Sequence, residues 1–195
     1  MKYQLIGGTR DDAVGEAFDK VAKILELGYP GGPAVARAAE ECRTKKISIS
    51  LTRPMMDSNN FEMSFSGIKT QVLYAWNAII KEIKPKDLKS AKAEMAKEFQ
   101  QAVVDVLIAK TLGAVKKYKV KTLLLGGGVS ANKELARQMK ESLVNAFPKV
   151  GFIVPEIKLT GDNAGMIALA GYYHALKKDF IKPFDLAADP NWELV

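Results

Sequence analysis

The chain has one cysteine and one histidine in 195 residues, and each scarcity narrows the chemistry. With Cys42 alone there is no internal disulfide, which fits a reducing cytoplasm. A catalytic transition-metal site usually takes three protein ligands from histidine, cysteine or carboxylate, so this chain can hardly assemble a His-rich centre by itself. There is no His-Glu-x-x-His motif, and one histidine with one cysteine gives a protease triad or dyad little to build on. His174 lies in a helical pattern beside Tyr172 and Tyr173 and reads as a packing residue. No apolar run approaches the roughly 20 residues that cross a bilayer, and Met1-Lys2-Tyr3 does not open a secretory leader. A cytoplasmic protein with no membrane partner is expected. Internal repeats and low-complexity linkers are also missing.

What is present is ordinary in bulk. A hydrophobic content of 48% and a charged content of 26% suit a globular protein of one large domain or two small ones. The formal charge of +7 favours an acidic partner, for which a nucleic acid is the usual candidate. The lysines are spread along the chain, and solvated helix faces account for many of them.

One stretch organises the rest: Thr122-Leu-Leu-Leu-Gly-Gly-Gly-Val-Ser-Ala-Asn-Lys-Glu134. Leu123 to Leu125 read as a short buried strand that stops at Gly126, Gly127 and Gly128. A helix is expected from near Ala131, with Ser130 as its N-cap and Glu134 close to the capping-carboxylate position. Bare glycine backbone between strand and helix admits a ligand that side chains would exclude. Amides at a helix start face an anion, so a nucleotide phosphate is the expected occupant. A tight turn without a ligand is the alternative reading.

Upstream, Thr9-Arg-Asp-Asp is expected to open a helix. Val14, Phe18, Val21, Ala22 and Leu25 share one face of it, and Asp12, Gly15, Glu16 and Asp19 the other. Asp19 on that face could accept hydrogen bonds from a ribose or simply be solvated. Gly28-Tyr-Pro-Gly-Gly-Pro33 is a turn that brings backbone near Asp19, and a short helix follows over Ala34 to Cys42. Strands are expected at Ile47 to Leu51 and Phe61 to Phe65. Ser66-Gly67 would cap a helix burying Ile68, Val72, Trp76, Ile79 and Ile83. Asp87 starts a longer one with Met95, Phe99, Val103, Val106 and Leu107 as its core stripe. A strand at Gly151 to Val154 and a helix N-capped by Asp162 complete the pattern, with an irregular tail containing Pro183, Pro190 and Trp192. Alternating strands and helices indicate an α/β fold with its ligand at the strand ends.

Five motifs then occur in order: Thr9-Arg-Asp-Asp-Ala-Val-Gly-Glu-Ala-Phe-Asp-Lys20, Tyr29-Pro-Gly-Gly-Pro33, Ser64-Phe-Ser-Gly-Ile-Lys-Thr70, Leu125-Gly-Gly-Gly-Val-Ser-Ala-Asn132 and Thr160-Gly-Asp-Asn-Ala-Gly-Met166. Together they closely resemble the bacterial tRNA N6-adenosine threonylcarbamoyltransferase family, formerly labelled O-sialoglycoprotein endopeptidases.

The resemblance implies an actin/Hsp70-like ATPase fold made of ribonuclease-H-like lobes. It also implies an acyltransferase moving a threonylcarbamoyl group from threonylcarbamoyl-adenylate to N6 of adenosine 37 in tRNAs that read ANN codons. Carried over by motif, Asp19 and Gly32 would hold the ribose and base region of an adenine nucleotide (threonylcarbamoyl-adenylate, AMP or ATP). Asn132, with the backbone of Gly126, Gly127 and Gly128, would bind around phosphate and sugar. Asp162 would ligate the active-site divalent metal, iron or zinc, which polarises the carbonyl under attack. Implied partners are tRNA, a paralogous protein of the same fold and other subunits of the threonylcarbamoylation complex.

Two departures qualify the resemblance. Ala36 stands where many bacterial members carry an aspartate. The family's N-terminal lobe, with its His-x-x-x-His ligands and Ser-Gly-Gly loop, is absent from this chain. Residues 1–160 are thus expected to form the nucleotide-binding C-terminal lobe, and residues 161–195 a terminal helix and tail that pack on the missing lobe. Alone, the chain is expected to bind metal weakly or not at all and to be inactive. Two rivals stand beside this reading. One is an NAD-dependent Rossmann-type oxidoreductase, from Gly126-x-Gly128-x-x-Ala131 with Glu156 as ribose carboxylate. The other is a non-catalytic module binding tRNA or a paralogue.

Overall fold

The computed structural model describes residues 3–43 and 47–187. Pro190 and Trp192, expected in the tail, lie outside them. Among the described residues the order is α1 (Val14–Ile24), α2 (Gly31–Glu41), α3 (Ser66–Glu82), α4 (Leu88–Tyr118), β1 (Thr122–Leu124), α5 (Lys133–Ala146), β2 (Gly151–Ile153) and α6 (Ala164–Leu176). The fold is α/β with a small sheet. Strands β1 and β2 pair in parallel, Leu123 opposite Phe152, and α5 makes the crossover between them.

The 31 residues of α4 form the spine. Met95, Phe99, Val103 and Val106 recur at spacings of three and four and are fully buried, with Leu107 partly so. Phe99 meets Phe18 of α1 edge to face, the ring centroids 5.0 Å apart. Each such side chain removed from water contributes about 1.5–3 kcal/mol. Small residues let the neighbours approach: Ala91, Ala96 and Ala102 of α4 share one cluster with Val35 and Ala39 of α2. From α3, Ile68, Val72 and Trp76 are buried in the same cluster, and Ile79 and Ile83 pack on its edge. A second cluster joins Val104, Leu135 and Met139, with Leu123, Val129 and Phe152 against it. It fixes the β1–α5–β2 unit to the spine.

Several local expectations need correction. Ile47 to Leu51 is extended but forms no strand. Its amides find carboxylates instead of a neighbouring chain: Ile47 N donates to Glu94 at 2.8 Å and Leu51 N to Glu98 at 3.1 Å. Phe61 to Phe65 is reduced to one parallel bridge, Thr9 to Met63. Strand β1 is not buried, Leu124 being 69% exposed, because β2 is its only partner among the described residues and one face stays uncovered.

Helix starts are also reassigned. Helix α1 begins at Val14 rather than at Thr9 to Asp12. Asp11 instead reaches across to α3, where its Oδ1 accepts the amides of Phe65 and Ser66 at 2.8 and 3.1 Å. That replaces the local cap expected from Ser66 and Gly67. The N-cap of α6 is Asn163, whose Oδ1 accepts the Met166 amide at 3.0 Å, and not Asp162. Helix α6 buries no residue. His174 on it is exposed and meets Asp179 at 2.7 Å, so it is not a packing histidine. Among the described residues no helix is long and apolar enough to cross a membrane.

Candidate functional site

A cavity of about 1110 Å³ is bounded by α1, α2, α4 and the segment leading from β1 into α5. Of the site residues expected from sequence, Asp19, Gly32, Gly128 and Asn132 stand on its wall. Gly126 and Gly127 lie in the turn just before Gly128 but are not on the wall, nor is Asp162. Ala36, which replaces the family's aspartate, lines the cavity too.

Helical period explains the placement of Asp19. Phe18, Val21 and Ala22 turn α1 into the core, which leaves Asp19 and Gly15 facing the cavity. Asp19 Oδ1 accepts the Gly31 amide at 2.8 Å, tying the start of α2 to α1. No hydrogen bond engages Oδ2 from the described residues. A Cβ at Gly31 would fall onto Asp19 Cα and lie 2.6 Å from Oδ1, so only glycine fits. At Gly32 a Cβ would meet nothing within 4 Å. The two glycines look equivalent in sequence, yet Gly31 is the one that packing requires. Sequence reading missed it.

Gly127 has φ 78° and ψ 172°, backbone that only glycine adopts without strain. Beyond it the chain enters a 3₁₀ turn over Gly128–Ala131 rather than the α-helix directly. Ser130 is buried and donates from both its amide and its hydroxyl to Gly127 O, at 3.0 and 2.6 Å. It is therefore not the N-cap. Asn132 takes that role, its Oδ1 accepting the Leu135 amide at 3.0 Å, and α5 starts at Lys133. Glu134 caps nothing. The Arg137 guanidinium and the Gln138 amide hold it, and Arg137 keeps its carboxyl below the ordinary value.

The wall carries the cations Arg37, Arg43, Lys97, Lys133 and Arg137 against the carboxylates Asp19, Glu40 and Glu134. The excess of positive charge suits an anionic ligand. Gln100 of α4 is also on the wall, 6% exposed, and its Oε1 accepts from Asn132 Nδ2 at 2.9 Å. It too escaped the sequence reading. Its signal was a polar residue one step from Phe99 in the core stripe of α4.

The sequence model of the tRNA N6-adenosine threonylcarbamoyltransferase family matches residues 1–169. The chain belongs to that family. It is 43% identical over 190 residues to the tRNA N6-adenosine threonylcarbamoyltransferase of Syntrophomonas wolfei, covering 97% of this chain and 53% of the relative. The enzyme of that name from Desulfotalea psychrophila is 46% identical over 175 residues, covering 90% and 49%. For the one from Thermosipho africanus the figures are 40% over 193 residues, 99% and 55%. The chain spans about half the length of the curated relatives it matches.

Membership of the threonylcarbamoyltransferase family overrides the dehydrogenase reading of the glycine turn. Glu156, the ribose carboxylate of that reading, is exposed and pairs with Lys158 at 2.7 Å. The family's metal finds no complete site here. Asp162 is exposed, and among the described residues no three histidine, cysteine or acidic side chains gather to hold an ion. A single carboxylate does not supply the three or four ligands that iron or zinc requires.

Proposed function

We propose that the chain is the nucleotide-holding half of a tRNA threonylcarbamoyltransferase with an actin/Hsp70-like fold. In the whole enzyme the threonylcarbamoyl group passes from threonylcarbamoyl-adenylate to N6 of adenosine 37 in tRNAs reading ANN codons. A carbon–nitrogen bond forms at the carbamoyl carbonyl, the bond to the adenylate phosphate oxygen breaks, N6 loses a proton and AMP departs. The observation that carries the reading is the convergence of Asp19, Gly32, Gly128 and Asn132 on one cavity.

Asp19 is suited to the sugar, because Oδ1 is held by Gly31 and Oδ2 is left for a ribose hydroxyl. The bare backbone of Gly126 to Gly128 leaves room for the phosphate, and the cations on the wall favour its charge. Preorganised donors of this kind stabilise the departing AMP. The residues present do not form a metal centre, so no step is assigned to iron or zinc. Residues 161–195 would pack on the other half of the protein, and the chain alone would be inactive in the cytoplasm where it works. tRNA, a paralogue of the same fold and further complex subunits are the partners this reading implies. A charge of +7 supports phosphate contacts to tRNA that weaken with salt.

Calorimetric titration of AMP into the wild-type chain and Gly128→Val is the test. A Cβ at Gly128 would meet nothing within 4 Å, so valine there fills the cavity without displacing the fold. Binding by the wild type and its loss in the variant are expected. Equal affinity in both would end the proposal.

A further inference from the structure

We infer that Gln100 contacts the ligand directly, its side-chain NH₂ donating a hydrogen bond to an acceptor atom on the adenosine part of the nucleotide. The inference rests on the reading of the cavity as an adenine-nucleotide site.

A chain of three groups sets the direction of that donor. The Leu135 amide can only donate, so the oxygen of the Asn132 side chain must face it. The Asn132 NH₂ then points at Gln100, and the Gln100 side chain must answer with its own oxygen. Its NH₂ is left over. The assignment follows from one backbone N–H and holds whichever way the amides are first drawn. Gln100 is more than nine-tenths buried, lines the cavity, and its Nε2 meets no acceptor among the described residues. A buried amide donor is costly to leave unpaired.

The neighbouring glutamine shows the contrast. Gln101 lines the same cavity, but its Nε2 donates to Asp105 and Gln138, and its Oε1 accepts from Gln138. It has nothing left to offer a ligand. Asn132 keeps a second N–H beside that of Gln100, so this corner presents donors alone. A ribose oxygen or a purine ring nitrogen satisfies them, and a donor group of the ligand is excluded.

Gln100→Glu separates contact from support. The carboxylate keeps an oxygen for Asn132 to donate to but replaces the donor facing the ligand. If Gln100 only holds Asn132, AMP and adenosine bind the variant as they bind the wild type. If Gln100 contacts adenosine, both bind roughly ten- to a hundredfold more weakly at pH 7.5. The ratio to wild type then narrows as the pH falls toward 5, because a protonated carboxyl regains a donor. Gln100→Met, uncharged and of similar length, should also weaken both ligands, without that pH dependence, and it decides the matter if the glutamate variant does not fold. Wild-type affinity for adenosine in either folded variant overturns the assignment, as does a loss confined to AMP. Absence of AMP and adenosine binding by the wild-type chain overturns this assignment together with the nucleotide reading beneath it.

Discussion

The Gly31 amide donates to Asp19 Oδ1 at 2.8 Å, and the two backbones pack so closely that no side chain fits at Gly31. Gly31→Ala should therefore push Asp19 out of place. About 1–3 kcal/mol of stability should be lost, as in other overpacked sites, together with AMP affinity. Gly32→Ala is the control. Its Cβ meets nothing, and alanine in the first turn of a helix stabilises by up to about 1 kcal/mol. Thermal melts of both variants check the opposite signs.

Asp11 ties the loop before α1 to the start of α3. Burial pushes its carboxyl up, but the Ser64 hydroxyl and the amides of Phe65 and Ser66 outweigh that and hold it below its ordinary 3.8. A carboxyl lowered by folding adds stability that is present above about pH 4 and lost as the pH falls through its folded value. Asp11→Ala should lower stability near neutral pH by about 1 kcal/mol, the usual loss on removing a cap. The gap to wild type should close below pH 4. Denaturant titrations at pH 7 and pH 3 measure it.

Arg53 holds the end of the extended segment on the spine. Its guanidinium meets Glu98 at 2.6 Å and Asp105 at 2.8 Å, and Glu98 also accepts the Leu51 amide. All three side chains are at least two-thirds buried. Removing one partner of a buried ion pair leaves the others unpaired. Arg53→Ala is expected to destabilise by about 2 kcal/mol, and added salt should not reproduce the effect. Urea unfolding at low and high ionic strength makes the comparison.

Helix α6 exposes Met166, Ile167, Leu169, Tyr172 and Tyr173. Because it buries nothing, Ile167→Lys with Leu169→Lys should leave the melting temperature unchanged, each within about 0.5 kcal/mol. An exposed apolar helix also promotes association. Sedimentation velocity should show concentration-dependent assembly of the wild-type chain and less of it in the double variant.

The helices were legible where one face had to be apolar. Met95, Phe99, Val103 and Val106 on α4, and Phe18, Val21 and Ala22 on α1, stand out by period alone. The strands were not, because alternation at Ile47 to Leu51 records one face turned to a core and says nothing of what bonds the backbone. Carboxylates of α4 do so there, from residues 47 positions away in the chain. Caps were misread for a related reason. Ser66, Ser130 and Asp162 are good capping types in the right places, but an acceptor from elsewhere, or the next polar residue along, reaches the amides instead.

The order of residues alone determined the family and the main helices, since motifs and apolar periodicity are properties of local sequence. Only the tertiary structure decided that Gly31 rather than Gly32 must be bare, that Asn132 closes α5, and that Gln100 turns an amide into the cavity. Those are relations among α1, α2, α4 and α5. Packing fixes them, and no spacing within a single element contains them.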